Sequence, residues 1–320
     1  MSISPAQNLL IAEAHRRNWK VQEIGSFTQL AKITDATGRT LLFKGGRPPQ
    51  TSATGQVITI NKLLSLEFVE SLGFQVPASQ MYERHDEALQ FLRHHKRIVV
   101  KPNDTEKSQG VTVGVTDAAG LEKAVAFASQ FSATILLQKY LEGQHYRLLT
   151  VGGKLFASAL RYPPEVVGDG VSTVRQLIER ENQHPLRQAS TLSPLEKIDS
   201  KKAEHYLGEN IEAVPVKNEV RRVLNLANIS SGGTAVDITE TVHPNYAVAT
   251  ELISRELGLF TCGFDIISPD IALDPGAVLQ LLEINSKPGY RMHHFPAKGG
   301  TPRNVAAAVL DAAFATEQWH

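Results

Sequence analysis

The stretch LLEINSKPGY, residues 281–290, carries Glu283 and Asn285 two apart in an apolar run that breaks at Pro288-Gly289. In a strand these two side chains share a face, a carboxylate beside an amide. Burying a carboxylate is costly unless something offsets its charge. A second carboxylate, Asp265 in TCGFDIIS, has equally apolar neighbours. Asp265, Glu283 and Asn285 form an all-oxygen set, which suits a hard cation held together with substrate phosphates. The alternative is an arginine ion pair for Glu283, with Asn285 capping a loop. HExxH and CxxC are absent, so an imidazole–thiolate metal site has no support.

A cation shared with phosphates calls for a phosphate cradle. The chain has neither GxxxxGK[ST] nor GxGxxG, which argues against a Walker-type NTPase and a dinucleotide-binding Rossmann domain. It has KPNDTEKSQGVTVGV instead. Lys101 ends a strand, where a point cation can meet a phosphate or simply face solvent. Ser108, Gln109 and Gly110 lie in a loop whose amides can close over phosphates. LLQKYLEG, with Tyr140, reads as an adenine wall or as plain core.

The elements that would position these residues are mixed. SPAQNLLIAEAHRRN reads as a helix capped by Ser4, and WKVQEIG and RTLLFKGG as strands, so residues 1–60 form a small α/β lead-in. KGGRPPQTSATG marks a boundary or exposed loop. INKLLSLEFVESLG is a helix closed by Gly73. RIVVKP, GVTVGV, DAAGLEKAVAFASQF and TILLQKYL make a β–β–α–β unit over residues 97–141. YRLLTVGGKLFASALRYP is a hairpin turning at Gly152-Gly153. VSTVRQLIEREN and HPNYAVATELISRELG are helices, TCGFDIIS and AVLQLLEIN strands, and TPRNVAAAVLDAAF a terminal helix; residues 185–215 read as loop-rich. Without strict βαβ alternation, the class is α+β.

Composition narrows the function classes. With 320 residues, 42% hydrophobic and 21% charged, the chain can bury a sizeable core of about two domains. Lys+Arg and Asp+Glu are both 33, so net charge draws it neither to nucleic acid nor to an anionic membrane. The single Cys262 permits no internal disulfide and reads as a buried small hydrophobe. The N-terminus lacks a signal-peptide pattern and no apolar run reaches the ~20 residues of a membrane span. A cytoplasmic protein is expected, a homodimer by default.

In order along the chain, Lys62 opening a helix, IVVKP, SQGVTVGV, LLQKYLEG, GFDII and LEINSKPG resemble the ATP-grasp family. QHYRLLTVGGKL, VVGDGVSTVRQLI, SPLEKI, NISSGGTAVDITETVHPNY and PGYRMHHFPAKG look like the ATP-grasp half of bifunctional glutathione synthetases and the ATP-grasp domain of cyanophycin synthetases. The resemblance runs from about residue 55 to 315. It implies an ATP-grasp fold with the lead-in at 1–60, a core at 61–96 and 142–320, and a small subdomain at 97–141 bearing the phosphate-covering loop. It implies an ADP-forming carboxylate–amine ligase that works through an acyl phosphate, most simply joining γ-glutamylcysteine to glycine. The alternatives are another amino-acid amide or isopeptide of the cyanophycin kind, and a non-catalytic nucleotide sensor.

The same resemblance assigns roles. Lys62 and Lys101 contact ATP phosphates, with Ser108, Gln109 and Gly110 closing over them. Gln138, Lys139, Tyr140 and Leu141 form the adenine hinge, and His145 stands near the ribose. Asp265, Glu283 and Asn285 hold Mg²⁺, two ions or Mn²⁺ in their place. Arg161 faces the acyl phosphate. Arg147, Arg291 and the amides around Ser231, Gly232 and Gly233 take substrate carboxylates. His293 and His294 are structural or surface residues. Gln138 and His145 depart from the acidic residues many relatives carry there, and Gly263 stands where D-alanine ligases place an arginine.

Overall fold

A computed structural model describes residues 4–25, 29–106, 108–187 and 195–315. The chain divides into two compact units. One comprises Met1–Gln50, Phe156–Glu240 and Lys287–His320, the other Thr51–Leu155 and Thr241–Ser286. The first division falls inside the Gly/Pro-rich KGGRPPQTSATG.

In the first unit the helix Pro5–Arg16 starts as its sequence dictates: Ser4 Oγ accepts the Gln7 amide at 3.2 Å and Pro5 occupies the first turn. Lys20–Ile24, Leu30–Thr34 and Thr40–Lys44 form an antiparallel sheet in that order. The terminal helix Val305–Ala315 packs on Pro5–Arg16. A separate core gathers Val166, Leu177, Ile178, Ile198 and Val223 under the helix Val174–Asn182, which opens with a Thr173/Gln176 capping box. The region expected to be loop-rich contains the helix Ser200–Leu207. Part of it, with Ser193 and Pro194 of SPLEKI, lies outside the described residues.

The second unit holds a four-stranded antiparallel sheet in the order Ser79–Met81, Ile135–Lys139, Ile98–Pro102, Thr112–Val115. The helices His85–His95 and Ala118–Ala128 cover it through Ala88, Leu92, Leu121 and Ala124. Elsewhere in this unit Gln144–Val151, Thr261–Ser268 and Leu281–Asn285 pair antiparallel, with Thr261–Ser268 central and buried throughout. Gly152 and Gly153 take φ of 57° and 75°, as the expected tight turn requires. The boundary stretch ends in a helix, Ala53–Ile60, set by Ser52 Oγ accepting the Gly55 amide at 3.1 Å. No described helix is long and apolar enough to cross a membrane.

His294 has a structural role. Its Nε2 accepts the Ala306 amide at 3.0 Å, at the start of the terminal helix. Burial pushes its pKa down from 6.5 to about 4, against an upward pull from Glu13. The folded ring is neutral where the unfolded one takes up a proton. Stability from this residue is therefore complete above pH 6.5 and lost as pH falls from 6.5 towards 4, by about 3 kcal/mol in all. Denaturant titrations between pH 7.5 and 4.5 should show the acid limb flattened in His294→Gln. An unchanged limb would place the acid sensitivity elsewhere.

Candidate active site

Seven polar side chains build the candidate site, all in the second unit. Strand register lines up three of them. Arg147 lies opposite Asp265, and Asp265 opposite Glu283, so one charged row crosses three strands. A register shift follows Asp265, the kind of bulge that re-aims a side chain. Arg147 Nε donates to Asp265 Oδ1 at 2.5 Å, both residues buried. Burial opposes charge on Arg147, but Asp265 and then Glu283 raise its pKa. Arg147 is thus engaged with a carboxylate of its own chain, where the sequence pointed to a substrate carboxylate.

Asn285 Nδ2 donates to Glu283 Oε1 at 3.2 Å, which confirms that the two side chains share a face. The amide oxygen is then the end left for a cation. Among the described residues no three His, Cys, Asp or Glu side chains cluster to hold a metal. An ion here would rest on two carboxylates, one amide and the phosphates of its substrate, the sparse oxygen set that suits Mg²⁺.

Two buried ammonium groups complete the charge pattern. Lys62, the first residue of the helix Lys62–Ser71, reaches the carbonyls of Asn103 (3.3 Å) and Thr105 (2.7 Å). Asn103 in turn accepts the Leu63 amide on Oδ1 at 3.0 Å. Lys101 donates to Gln138 Oε1 at 2.8 Å and to the Leu282 carbonyl at 3.3 Å. Burial lowers the pKa of Lys62, with Glu283 the chief opposing charge. Burial brings Lys101 down to about 8, with Glu283 again opposing and Lys62 adding to the fall. Among the buried side chains here, Lys62, Lys101 and Arg147 face Asp265, with Glu283 half-buried and the exposed Asp104 and Glu106 also acting on Lys62, so the buried charge is positive in excess and suits an anion.

The hinge differs from expectation at Gln138. Its side chain is fully buried, its oxygen taken by Lys101 and its Nε2 donating to Ser79 Oγ at 3.2 Å. As it stands it supports Lys101 and presents no acceptor to a base. Lys139 is exposed. Arg97 lies over the Tyr140 ring at 3.8 Å. Leu141 and His145 are half-buried. In the covering loop Ser108 and Gly110 take φ of 56° and 70°. A Cβ on Gly110 would stand 2.8 Å from both Phe131 and Pro102, so glycine is required there.

Arg161, Ser231, Gly232, Gly233 and Arg291 belong to the first unit. Arg161 pairs opposite Ala235 and is half-buried. Arg291 is buried and donates to Glu196 Oε1 at 2.5 Å. The amides expected to form an anion nest are spent inside a turn. Ser230 donates to Asn228 Oδ1, Ser231 and Gly233 to the Asn228 carbonyl, and Gly232 to the Ile229 carbonyl, each at 3.1 Å. What this loop offers an anion is side chains: Ser231 Oγ, with Lys202 Nζ at 3.2 Å. Sequence patterns assign no role to Ser79, Asn103, Lys202 and Glu196, although Asn103 lies in KPNDTEKSQGVTVGV and Glu196 in SPLEKI, because their partners lie far along the chain.

Buried lysines and a carboxylate pair in register on an antiparallel sheet have the chemistry to take a polyanion and a hard cation. The chain belongs to the ATP-grasp family: the ATP-grasp domain matches residues 59–227, just over half of it. Cyanophycin synthetase from Nostoc sp. is 32% identical over 329 residues, 99% of this chain and 36% of that protein. The glutathione biosynthesis bifunctional protein GshAB of Mannheimia succiniciproducens is 32% identical over 282 residues, 84% of this chain and 37% of that protein. The crystal structure of a bifunctional glutathione synthetase from Pasteurella multocida superposes with a TM-score of 0.68 at 27% identity, over 97% of this chain and 43% of that one. The chain spans little more than a third of the length of these two curated relatives.

Proposed function

We propose that this chain is an ATP-dependent carboxylate–amine ligase acting on amino-acid or small peptide substrates. The observation that carries the reading is the excess of buried positive charge at Lys62, Lys101 and Arg147 over Asp265 and Glu283. A carboxylate oxygen of one substrate attacks the γ-phosphorus of ATP, and ADP leaves with the bonding electrons. The amine of the second substrate attacks the acyl carbon, phosphate departs, and the amine's proton passes to phosphate or water. Lys62 and Lys101 bind and orient the triphosphate, and the loop of Ser108, Gln109 and Gly110 covers it. Lys139, Tyr140 and Leu141 flank the base and His145 the ribose, with Gln138 holding Lys101 in place. Bound at Asp265, Glu283 and Asn285, Mg²⁺, as two ions or with Mn²⁺ substituting, would neutralise phosphate charge. Arg147 orients Asp265. Arg161 serves the acyl phosphate, and Arg291 with the Ser231, Gly232 and Gly233 loop serves a substrate carboxylate.

For the substrates we favour γ-glutamylcysteine and glycine, or a close analogue. The likeness to GshAB and to the bifunctional glutathione synthetase supports this. A cyanophycin-related amide or isopeptide is the second reading, supported by the alignment with cyanophycin synthetase over 99% of the chain. Phosphate release from ATP and Mg²⁺ should require a carboxylate–amine pair. Dependence on γ-glutamylcysteine plus glycine selects the first reading and dependence on another pair the second; silence across a broad panel would overturn the ligase.

Arg161→Ala should lower kcat about 10²- to 10³-fold while the KM for ATP stays within a few-fold, because its contact strengthens as charge develops. A change confined to KM would make Arg161 a ground-state binder.

A further inference from the structure

Arg187 belongs to no sequence pattern, yet it is 3% exposed and its guanidinium joins three segments of the first unit. It ends the short turn Pro185–Arg187. Its Nε donates to Glu181 Oε1 at 2.9 Å. Its Nη1 donates to two carbonyls, Glu196 at 2.6 Å and Gly232 at 2.9 Å. Glu196 extends the chain of contacts, since its carboxylate accepts from Arg291 Nη1. One buried cation thus pins the glycine loop by its backbone and also fixes the residue that holds Arg291.

The surroundings leave the loop little freedom. Gly232 takes φ of 96°, and a Cβ there would stand 2.5 Å from Ile198 Cα. Asn182 brackets Ile198, accepting its amide at 2.7 Å and donating to its carbonyl at 2.9 Å. The Asp199 amide donates to the Ser231 carbonyl at 3.4 Å. Residues 195–199 therefore splint the loop against the helix Val174–Asn182, and Arg187 bonds both splint and loop. With the loop amides consumed internally, the direction in which Ser231 Oγ faces depends on this scaffold. A guanidinium suits the task because its fork serves several acceptors at fixed angles, where an ammonium is a point charge.

We propose that Arg187 is a positioning residue: it sets the 230–234 loop and, through Glu196, Arg291 in the geometry that receives a substrate carboxylate. The part concerning substrate rests on the ligase reading; the part concerning the loop does not. Two readouts on the full chain separate them. In Arg187→Met, amide hydrogen exchange over 229–234 should quicken at least tenfold. The KM for the carboxylate substrate should rise about 10- to 100-fold with kcat within threefold and the KM for ATP unchanged, the signature of lost uniform binding by a charged hydrogen-bond donor. Arg187→Lys, which keeps the buried charge and a donor, should recover part of both effects. Glu196→Gln keeps the carbonyl that Arg187 uses, so it should raise the same KM without loosening the loop. Faster exchange in a protein that turns over no substrate pair would support the positioning of the loop while the ligase reading fell. Unchanged exchange in folded Arg187→Met, or equal losses in both KM values and kcat, would overturn the proposal.

Discussion

Glu283→Ala should abolish ATP turnover, a loss of about 10³-fold or more, while the fold survives. Glu283 is half-buried, and its side chain accepts a hydrogen bond from Asn285 Nδ2. It is, however, the chief carboxylate opposing the burial penalty on both Lys62 and Lys101. Removing it leaves two ammonium groups without their largest opposing charge. Asp104 and Glu106 still act on Lys62 and Asp265 on Lys101, each by less than Glu283 did. Nucleotide binding should therefore persist, since a polyanion supplies the compensation that was removed, but it should lose its dependence on Mg²⁺. Glu283→Gln is the sharper variant. It keeps an acceptor for Asn285 Nδ2 and the size of the side chain, and removes only the charge. If Glu283→Gln turns over ATP at the normal rate, the carboxylate is not a cation ligand and the site must be read again from Asp265.

How much of this could be read along the chain depends on distance in sequence. Glu283 and Asn285 are neighbours by strand period alone, and the structure puts their side chains in contact. Lys101 at a strand end and Asp265 in a buried strand were equally visible, because one strand's alternation suffices to place them. The partners were not visible. Arg147 meets Asp265 across 118 residues, and Lys101 meets Gln138 across 37; both depend on strand register, which no local pattern encodes. That is why Arg147 looked like a free cation and Gln138 like a free acceptor. The 230–233 amides illustrate a related limit: a Gly-rich loop can open its N–H groups to an anion or close them on itself, and Asn228 closes them. The helix Ala53–Ile60 was hidden by its composition, since Val57, Ile58, Thr59 and Ile60 favour strands. A capping Ser52 and packing of Gly55 against the Leu257 carbonyl override that preference.

Arg147→Met should be the most destabilising change in the site, lowering stability by about 3–5 kcal/mol. The substitution keeps length and removes the charge, so Asp265 loses the guanidinium it bonds and remains buried. Lys101 also feels the Asp265 charge, but it is itself buried, with a pKa brought down to about 8, and is opposed chiefly by Glu283. The double variant Arg147→Met/Asp265→Leu should recover much of the loss, because an apolar pair of similar volume replaces a buried ion pair at little net cost. Denaturant midpoints for the two single variants and the double one close this cycle. The same proteins also test the cation assignment. If Asp265 is a Mg²⁺ ligand, the ion offers the stranded carboxylate a new partner, and added Mg²⁺ should stabilise Arg147→Met by more than the original chain. It should do nothing for the double variant. Equal Mg²⁺ stabilisation of all three would mean that Asp265 serves Arg147 alone, and the cation would then rest on Glu283, Asn285 and the phosphates.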